Sequence, residues 1–166
     1  KYIGGGLSFG AFGGRADLID IYDPTRKNYL PHAGTFNNNA LTMAAGTAAL
    51  SEVYTPSVAN EHNARGERLR ESLNDIIKAH NLELQFTGIG SLMSLHVKNG
   101  ELRSPSDIED EDNRKLELVF FDLLEAGYYM APRGFIALSL ALNNDNINGF
   151  TKAFEDVLES RRSMLG

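Results

Sequence analysis

Apolar residues recur at helical spacing in three stretches of the chain. The stretches at residues 56–80, 116–124 and 145–164 each predict an amphipathic helix, the second of which ends before Gly127. Alternating apolar residues predict strands at 82–86 and 91–97, with a turn at 88–90. We also predict strands at 128–131 and 135–140, on either side of a turn at Pro132-Arg133-Gly134. These patterns indicate a small α+β unit.

The first 54 residues have a different pattern, because half of the 16 glycines fall in residues 1–46. We predict a short strand at 8–12, a short helix at 14–22, and a loop at 23–34 that contains two prolines. The small apolar residues at 39–53 predict a helix that packs closely on its neighbours. Pro56 can end one helix and begin the next, so we place a domain boundary between residues 54 and 55.

Composition excludes several classes of function. The chain has 16 Lys+Arg against 22 Asp+Glu, a net charge of -6, and residues 1–54 sum to zero, so residues 55–166 carry the whole excess. No basic stripe is present to bind nucleic acid, and no apolar run approaches the roughly 20 residues of a membrane span. The absence of cysteine excludes disulfides, Cys-ligated zinc and Cys nucleophiles. The acidic run at 107–112 predicts a solvated loop rather than a metal site, and we predict no metal.

Two segments carry candidate chemistry. Lys1 precedes Gly4-Gly5-Gly6, and a lysine desolvated on such a backbone has a lowered pKa and can form a Schiff base, although an isolated lysine is typically a solvated surface charge. The glycines match neither the nucleotide P-loop nor the dinucleotide pattern. Gly34 and Thr35 precede the 39–53 helix and could bind an anion, or Thr35 or Asn39 could simply cap that helix.

Together these segments resemble the class III aminotransferases, including the glutamate-1-semialdehyde 2,1-aminomutases. The run KYIGGGLSFGAFGGR at residues 1–15 is similar to the family's lysine segment. Ala33-Gly34-Thr35, the small-residue helix after it, and residues 128–140 followed by a terminal helix also match in order and distance. The segments 7–11 and 33–40 depart from the aminomutase pattern, and the Thr-Phe-Asn-Asn-Asn version is more similar to relatives that transaminate amino acids, including β-amino acids.

The resemblance implies an α/β fold: the C-terminal part of a pyridoxal-phosphate-dependent transferase, cut at its catalytic residue. Residues 1–54 would end the large parallel-sheet domain and residues 55–166 would form the small α+β C-terminal domain. Lys1 would be the catalytic lysine that binds pyridoxal 5'-phosphate. Thr35 would bind the cofactor phosphate of the neighbouring subunit, and Gly34 would let that phosphate approach closely. Arg133 would bind a substrate carboxylate, or form a surface salt bridge.

The same resemblance implies a homodimer with a shared active site, and we expect a cytoplasmic location. Three hypotheses stay open for its activity. The first is an aminotransferase that moves an amino group between an amino acid and a keto acid through a lysine Schiff base. The second is a 2,1-aminomutase that isomerises an amino aldehyde. The third is a non-catalytic protein of the same fold that binds a phosphate or a partner.

Overall fold

The computed structural model describes residues 2–36 and 38–166 of the chain. Within it the chain forms two compact units. The first ends at Val58 and the second spans Ala59–Gly166. That the two units are the end of a cofactor domain and a C-terminal domain stays a prediction.

The first unit is built from short helices. They are a 3-10 turn at Tyr2–Gly4, α1 at Ala16–Ile19 followed by a 3-10 turn at Asp20–Tyr22, and α2 at Ala40–Ala48, which continues as a π-helix over Ala49–Val53. The predicted helices at 14–22 and 39–53 are confirmed with small changes at their ends. The predicted strand at 8–12 is wrong. These residues are irregular, since no described strand of this unit lies beside them to pair with their backbone.

Close packing explains the small residues of α2. Asn39 caps the helix, because its Oδ1 accepts hydrogen bonds from the backbone N–H groups of Leu41 (3.1 Å) and Thr42 (3.2 Å). A Cβ on Gly46 would lie 2.5 Å from the carbonyl oxygen of Ile3, so the backbone after Lys1 lies directly on α2. The prediction of a closely packed helix is therefore confirmed at Thr42 and Gly46, whereas Ala40, Ala44 and Ala48 are exposed.

The second unit contains the regular elements of the chain. They are α3 (Pro56–Ala79, whose first turn falls at the boundary), β1 (Gln85–Ile89), β2 (Leu92–His96), a 3-10 turn (Pro105–Ile108), α4 (Asn113–Glu125), β3 (Phe135–Ala137), α5 (Asn144–Ser160) and α6 (Arg162–Leu165). The predicted helices at 56–80 and 116–124 are confirmed, and α4 begins three residues earlier because Asp112 caps it.

The three strands form one antiparallel sheet in the order β1-β2-β3. Phe86 lies opposite Leu95, Met93 lies opposite Ile136, and the core side of the sheet carries the buried members of these pairs. The helices α3, α4 and α5 cover that side. The core is formed by Leu69, Leu73, Ile77, Leu82, Leu84, Phe86, Met93, Leu95, Leu116, Val119, Leu123, Met130, Phe154, Val157, Leu158 and Leu165.

Strand ends differ from the prediction because pairing, not alternation, decides them. Leu82 and Leu84 are buried in the core but lie before β1, and Gly88 and Ile89 belong to β1 rather than to the turn. The predicted strand at 128–131 is wrong, because these residues pair with none of the described strands. Met130 is buried because its side chain enters the core. The predicted strand at 135–140 shrinks to the three residues that pair with β2.

The closing helix and the acidic run also differ from expectation. The predicted helix at 145–164 divides into α5 and α6 at Arg161 (φ -107°, ψ 12°), whose guanidinium binds the Asp122 carboxylate on α4 at 2.6 and 3.1 Å. The acidic run is only partly solvated. Asp107 completes a capping box, and the Glu111 side chain is 6% exposed against His96.

Candidate active site

Lys1, the predicted catalytic residue, lies outside the described residues. The backbone that follows it turns through Tyr2–Gly4 and then through Gly5 at φ +60°. A Cβ on Gly5 would meet the carbonyl oxygen of Ala45 at 2.6 Å. Two constraints therefore require glycine at position 5: its positive φ and the close approach of its backbone to α2.

The structure brings residues 8–12 of the glycine-rich segment together with Phe36, Asn38 and Asn39 at one cavity of about 330 Å³ in the first unit. It is lined by Ser8, Phe9, Gly10, Ala11, Phe12, His32, Phe36, Asn38, Asn39, Thr42 and Met43. Ring packing orders one wall, because the Phe12 ring contacts Tyr22 at 5.1 Å and His32 at 4.9 Å, both edge-on. The hydroxyl, imidazole and amide groups of the lining can donate hydrogen bonds to an anionic ligand.

Gly34 and Thr35 lie on the loop that leads to this cavity, and both are exposed. The alternative that Thr35 caps the following helix is wrong, because Asn39 occupies the cap. Within residues 2–36 and 38–166, the Thr35 hydroxyl makes no side-chain hydrogen bond. Thr35 is thus an accessible donor beside the cavity, and it fits a phosphate oxygen.

Arg133 lies in the second unit, at the third position of a turn from Ala131 to Gly134. The turn closes with a hydrogen bond from the Gly134 N–H to the Ala131 carbonyl (2.8 Å), and the Leu95 N–H donates to the Gly134 carbonyl (3.0 Å). Gly134 has φ +80°, and a Cβ there would lie 2.5 Å from the Leu95 carbonyl oxygen. Pro132 and Gly134 therefore hold the backbone of Arg133 in one conformation.

The Arg133 side chain is exposed, and its guanidinium carbon lies 5.1 Å from the centre of the Phe135 ring. Among the described residues it forms no ion pair, so the predicted alternative of a surface salt bridge is not seen there. Six other arginines do bind carboxylates: Arg15, Arg26, Arg70, Arg103, Arg114 and Arg161. The fork of Arg133 keeps its donors open for a ligand.

Tertiary structure also assembles a polar chain that sequence spacing did not indicate. The His96 Nδ1 lies 3.0 Å from Glu111 Oε1, and its Nε2 lies 3.1 Å from the Thr87 hydroxyl. These three side chains connect β1, β2 and the acidic run. The arrangement therefore holds the acidic run against the sheet.

Ion pairs strengthen that attachment. The Lys98 ammonium donates to Asp110 (2.9 Å), which raises the pKa of Lys98 and lowers the pKa of Asp110. Hydrogen bonds from Arg114 lower the pKa of Asp112 to about 2. Across the described ranges, no group of three or more His, Cys, Asp or Glu side chains is arranged to hold a metal ion.

A second cavity, of about 520 Å³, lies in the second unit below the Arg133 turn. Its walls are mostly aromatic and aliphatic, and include Tyr128, Phe135, Ile147 and Phe150. The Tyr128 and Phe150 rings pack edge-on at 5.9 Å. This cavity is not predictable from the sequence, because its walls come from α3, α5, β3 and the segment before β3.

Comparison with known proteins places this fold among transaminases. The chain superposes on the crystal structure of a β-phenylalanine aminotransferase from Variovorax paradoxus with a TM-score of 0.95 and 46% identity, covering 99% of this chain and 38% of that one. The aminotransferase class-III family matches residues 1–158. The chain belongs to this family, whose members depend on pyridoxal phosphate.

Comparison of amino-acid sequences also identifies a transaminase and an aminomutase among the relatives. The chain is 47% identical to the β-phenylalanine transaminase of Variovorax paradoxus, over 99% of this chain and 38% of the relative. It is 31% identical to the glutamate-1-semialdehyde 2,1-aminomutase of Pyrobaculum islandicum, over 100% of this chain and 39% of the relative. The chain thus spans about 38% of the length of the relatives it matches. Within residues 2–36 and 38–166, no helix is both long and apolar enough to cross a bilayer.

Proposed function

We propose that these residues form the C-terminal part of an aminotransferase that moves an amino group between an amino acid, including a β-amino acid, and a keto acid. The observation that carries the proposal is the family match over residues 1–158, which includes Lys1 and Thr35. The higher identity to a β-phenylalanine transaminase than to an aminomutase favours transfer over isomerisation. A cytoplasmic location remains a prediction.

The residues of this chain fit a phosphorylated cofactor. Thr35 has an accessible hydroxyl that is not used for capping, and the cavity beside it presents Ser8, His32 and Asn38. Pyridoxal 5'-phosphate, when bound, supplies a conjugated system that accepts the electrons left when the amino acid loses its α- or β-proton. We infer that Lys1 holds this cofactor through Nζ and that Thr35 donates to the phosphate of the cofactor bound by the neighbouring subunit.

Each residue then has one task. Once the substrate's amine has displaced it from the cofactor, the Lys1 Nζ would take a proton from the substrate carbon that bears nitrogen and give it back, a general acid–base role. The Arg133 guanidinium binds the substrate carboxylate through two parallel N–H donors. Thr35 acts on the cofactor of the neighbouring subunit, so the active site is shared in a homodimer.

The Lys1 assignment is tested in the full-length protein with borohydride. Lys1→Ala is expected to abolish both covalent trapping of the cofactor and formation of new amino acid from a β-amino acid and a 2-keto acid. Lys27→Ala, which removes an exposed lysine of the same unit, is the matched control and is expected to retain both. Unchanged trapping in Lys1→Ala would support the non-catalytic hypothesis. Isomerisation of an amino aldehyde without transfer to a keto acid would support the aminomutase.

The shared site is tested by mixing subunits at limiting cofactor. Lys1→Ala and Thr35→Ala homodimers are both expected to have low activity. A hybrid of the two contains one site with an intact Lys1 and an intact Thr35 only if these residues come from different subunits. Recovery of activity on mixing is therefore expected, and no recovery in verified hybrids would contradict the shared site.

A further inference from the structure

The Arg133 side chain contacts one aromatic ring. Its guanidinium carbon lies 5.1 Å from the centre of the Phe135 ring, two residues along the chain. Arg133 is exposed and has no carboxylate partner among the described residues. The ring is thus the group that restricts where the end of this long side chain lies.

Both partners of this contact are held by backbone hydrogen bonds. The turn around Arg133 is closed at Gly134 and bound to Leu95 of β2. Phe135 begins β3 and lies opposite Ser94 in the sheet. The Cα atoms of Arg133 and Phe135 are therefore fixed by the turn and by β3. Only rotation about the side-chain bonds can change the distance between the guanidinium and the ring.

A stacked guanidinium keeps its hydrogen-bonding groups available. The ring attracts the flat face of the cation, whereas all five N–H donors lie in the guanidinium plane and point outward. An unrestricted arginine loses considerable side-chain entropy when it binds a carboxylate, and an arginine already stacked loses less. The contact with Phe135 therefore prepares Arg133 to bind without occupying its donors.

We propose that Phe135 is a positioning residue whose ring orients the Arg133 guanidinium for the carboxylate of the amino-acid substrate. This inference rests on the proposed function, which assigns the carboxylate to Arg133. Phe135 acts through Arg133 and need not touch the substrate. An aromatic residue at 135 then favours amino donors that carry a carboxylate over plain amines.

The test compares Phe135→Leu with Phe135→Tyr and Phe135→Trp in the full-length protein loaded with cofactor. Phe135 is half-buried and is not among the fully buried core residues, so Phe135→Leu is expected to fold. Loss of an exposed cation–π contact predicts a rise of about two- to fivefold in KM for a carboxylate-bearing amino donor, with kcat unchanged. Tyr and Trp, which keep a ring, are expected to retain the wild-type KM.

A matched control removes another aromatic ring of the same unit. Phe121 is 61% exposed on α4 and packs on Phe120 rather than on an arginine, so Phe121→Leu is expected to leave KM unchanged. Calorimetry with a carboxylic acid that lacks the amino group provides a readout other than turnover. Its Kd is expected to rise in Phe135→Leu by the same factor as KM, and the effect should disappear in an Arg133→Ala background.

The outcomes separate the two proposals. If Arg133→Ala weakens binding of the carboxylic acid but Phe135→Leu does not, the positioning role is wrong and the proposed function stands. If Phe135→Leu weakens binding equally in the Arg133→Ala background, or for amine donors without a carboxylate, Phe135 acts on packing alone and the inference is overturned. If Arg133→Ala leaves binding unchanged, the carboxylate assignment fails and this inference fails with it.

Discussion

Gly66 lies where α3 passes the turn between β1 and β2. A Cβ on this residue would lie 2.1 Å from the carbonyl oxygen of Gly90 and 2.8 Å from the Cα of Ser91. Two neighbouring side chains of the same helix hold that turn, since Asn63 accepts from the Ser91 N–H (3.2 Å) and Glu67 accepts from the Gly90 N–H (2.6 Å). We predict that Gly66→Ala destabilises the second unit.

Two opposing effects decide the sign. Alanine is favoured over glycine inside a helix by about 1 kcal/mol, so an accommodated methyl group would stabilise the unit. Ordinary Cβ contacts begin at 3.4 Å, so the turn must move away from α3 by more than about 1 Å. Overpacking of this kind costs about 1–3 kcal/mol, and breaking the Asn63–Ser91 hydrogen bond costs about 1 kcal/mol more. The expected net loss is about 2 kcal/mol.

Hydrogen exchange measured by mass spectrometry on the full-length protein reports this loss locally, which avoids assuming two-state unfolding. Peptides that cover β1 and β2 are expected to exchange about 30-fold faster in Gly66→Ala, the factor that 2 kcal/mol implies. Ala64→Gly is the matched control, since it removes an exposed Cβ of the same helix and should cost about 1 kcal/mol. Slower exchange in Gly66→Ala would refute the close approach of helix and turn.

Two further predictions concern α3. Asn74 binds the outer edge of β1, donating to the Phe86 carbonyl (3.0 Å) and accepting from the Phe86 N–H (2.7 Å). Asn74→Ala is expected to lower the free energy of unfolding by about 2 kcal/mol, because it leaves both backbone groups of Phe86 without this partner. Urea unfolding measures the loss, with the exposed Ser72→Ala as control. Equal unfolding midpoints in the two variants would contradict the prediction. The Arg70 guanidinium, and then a backbone N–H of the hairpin turn, lower the pKa of Glu67. Because the folded pKa lies below the unfolded one, Glu67 stabilises the fold above the unfolded value of about 4.3, and this contribution is lost as the pH falls through the folded pKa. Melting temperatures between pH 6 and 3 should therefore fall less steeply in Glu67→Gln than in wild type, and parallel curves would contradict the assignment.

Helices were the most predictable part of the fold. α3 was predicted at residues 56–80 and spans Pro56–Ala79. The prediction succeeded because the helical spacing of the apolar residues and the proline that begins the helix both lie within the segment itself. Strands were less predictable. Residues 8–12 and 128–131 were predicted as strands, yet neither segment has a partner strand among the described residues, and β3 keeps only the part that pairs with β2.

The candidate site divides in the same way. Lys1 and Thr35 were indicated by the order of residues in a family pattern, and Arg133 by a Pro-Arg-Gly turn that requires no distant contact. The cavity beside Thr35 was not predicted, since it forms only where residues 8–12 meet Phe36, Asn38 and Asn39. The contact of Glu111 with His96 was missed for the same reason: an acidic run usually indicates solvent, and its burial depends on a strand 15 residues away.

The sequence by itself determined the helices, the glycine turns and the resemblance to a family, because each depends on residues close together in the chain. The glycines after Lys1 show the limit of that information. Their number was visible in the composition, but only the tertiary structure showed that Gly5 and Gly46 are required where the turn and α2 touch backbone to backbone. The tertiary structure also decided the strand pairs, both cavities and the stacking of Arg133 on Phe135, because each depends on the distance between side chains or backbones after folding.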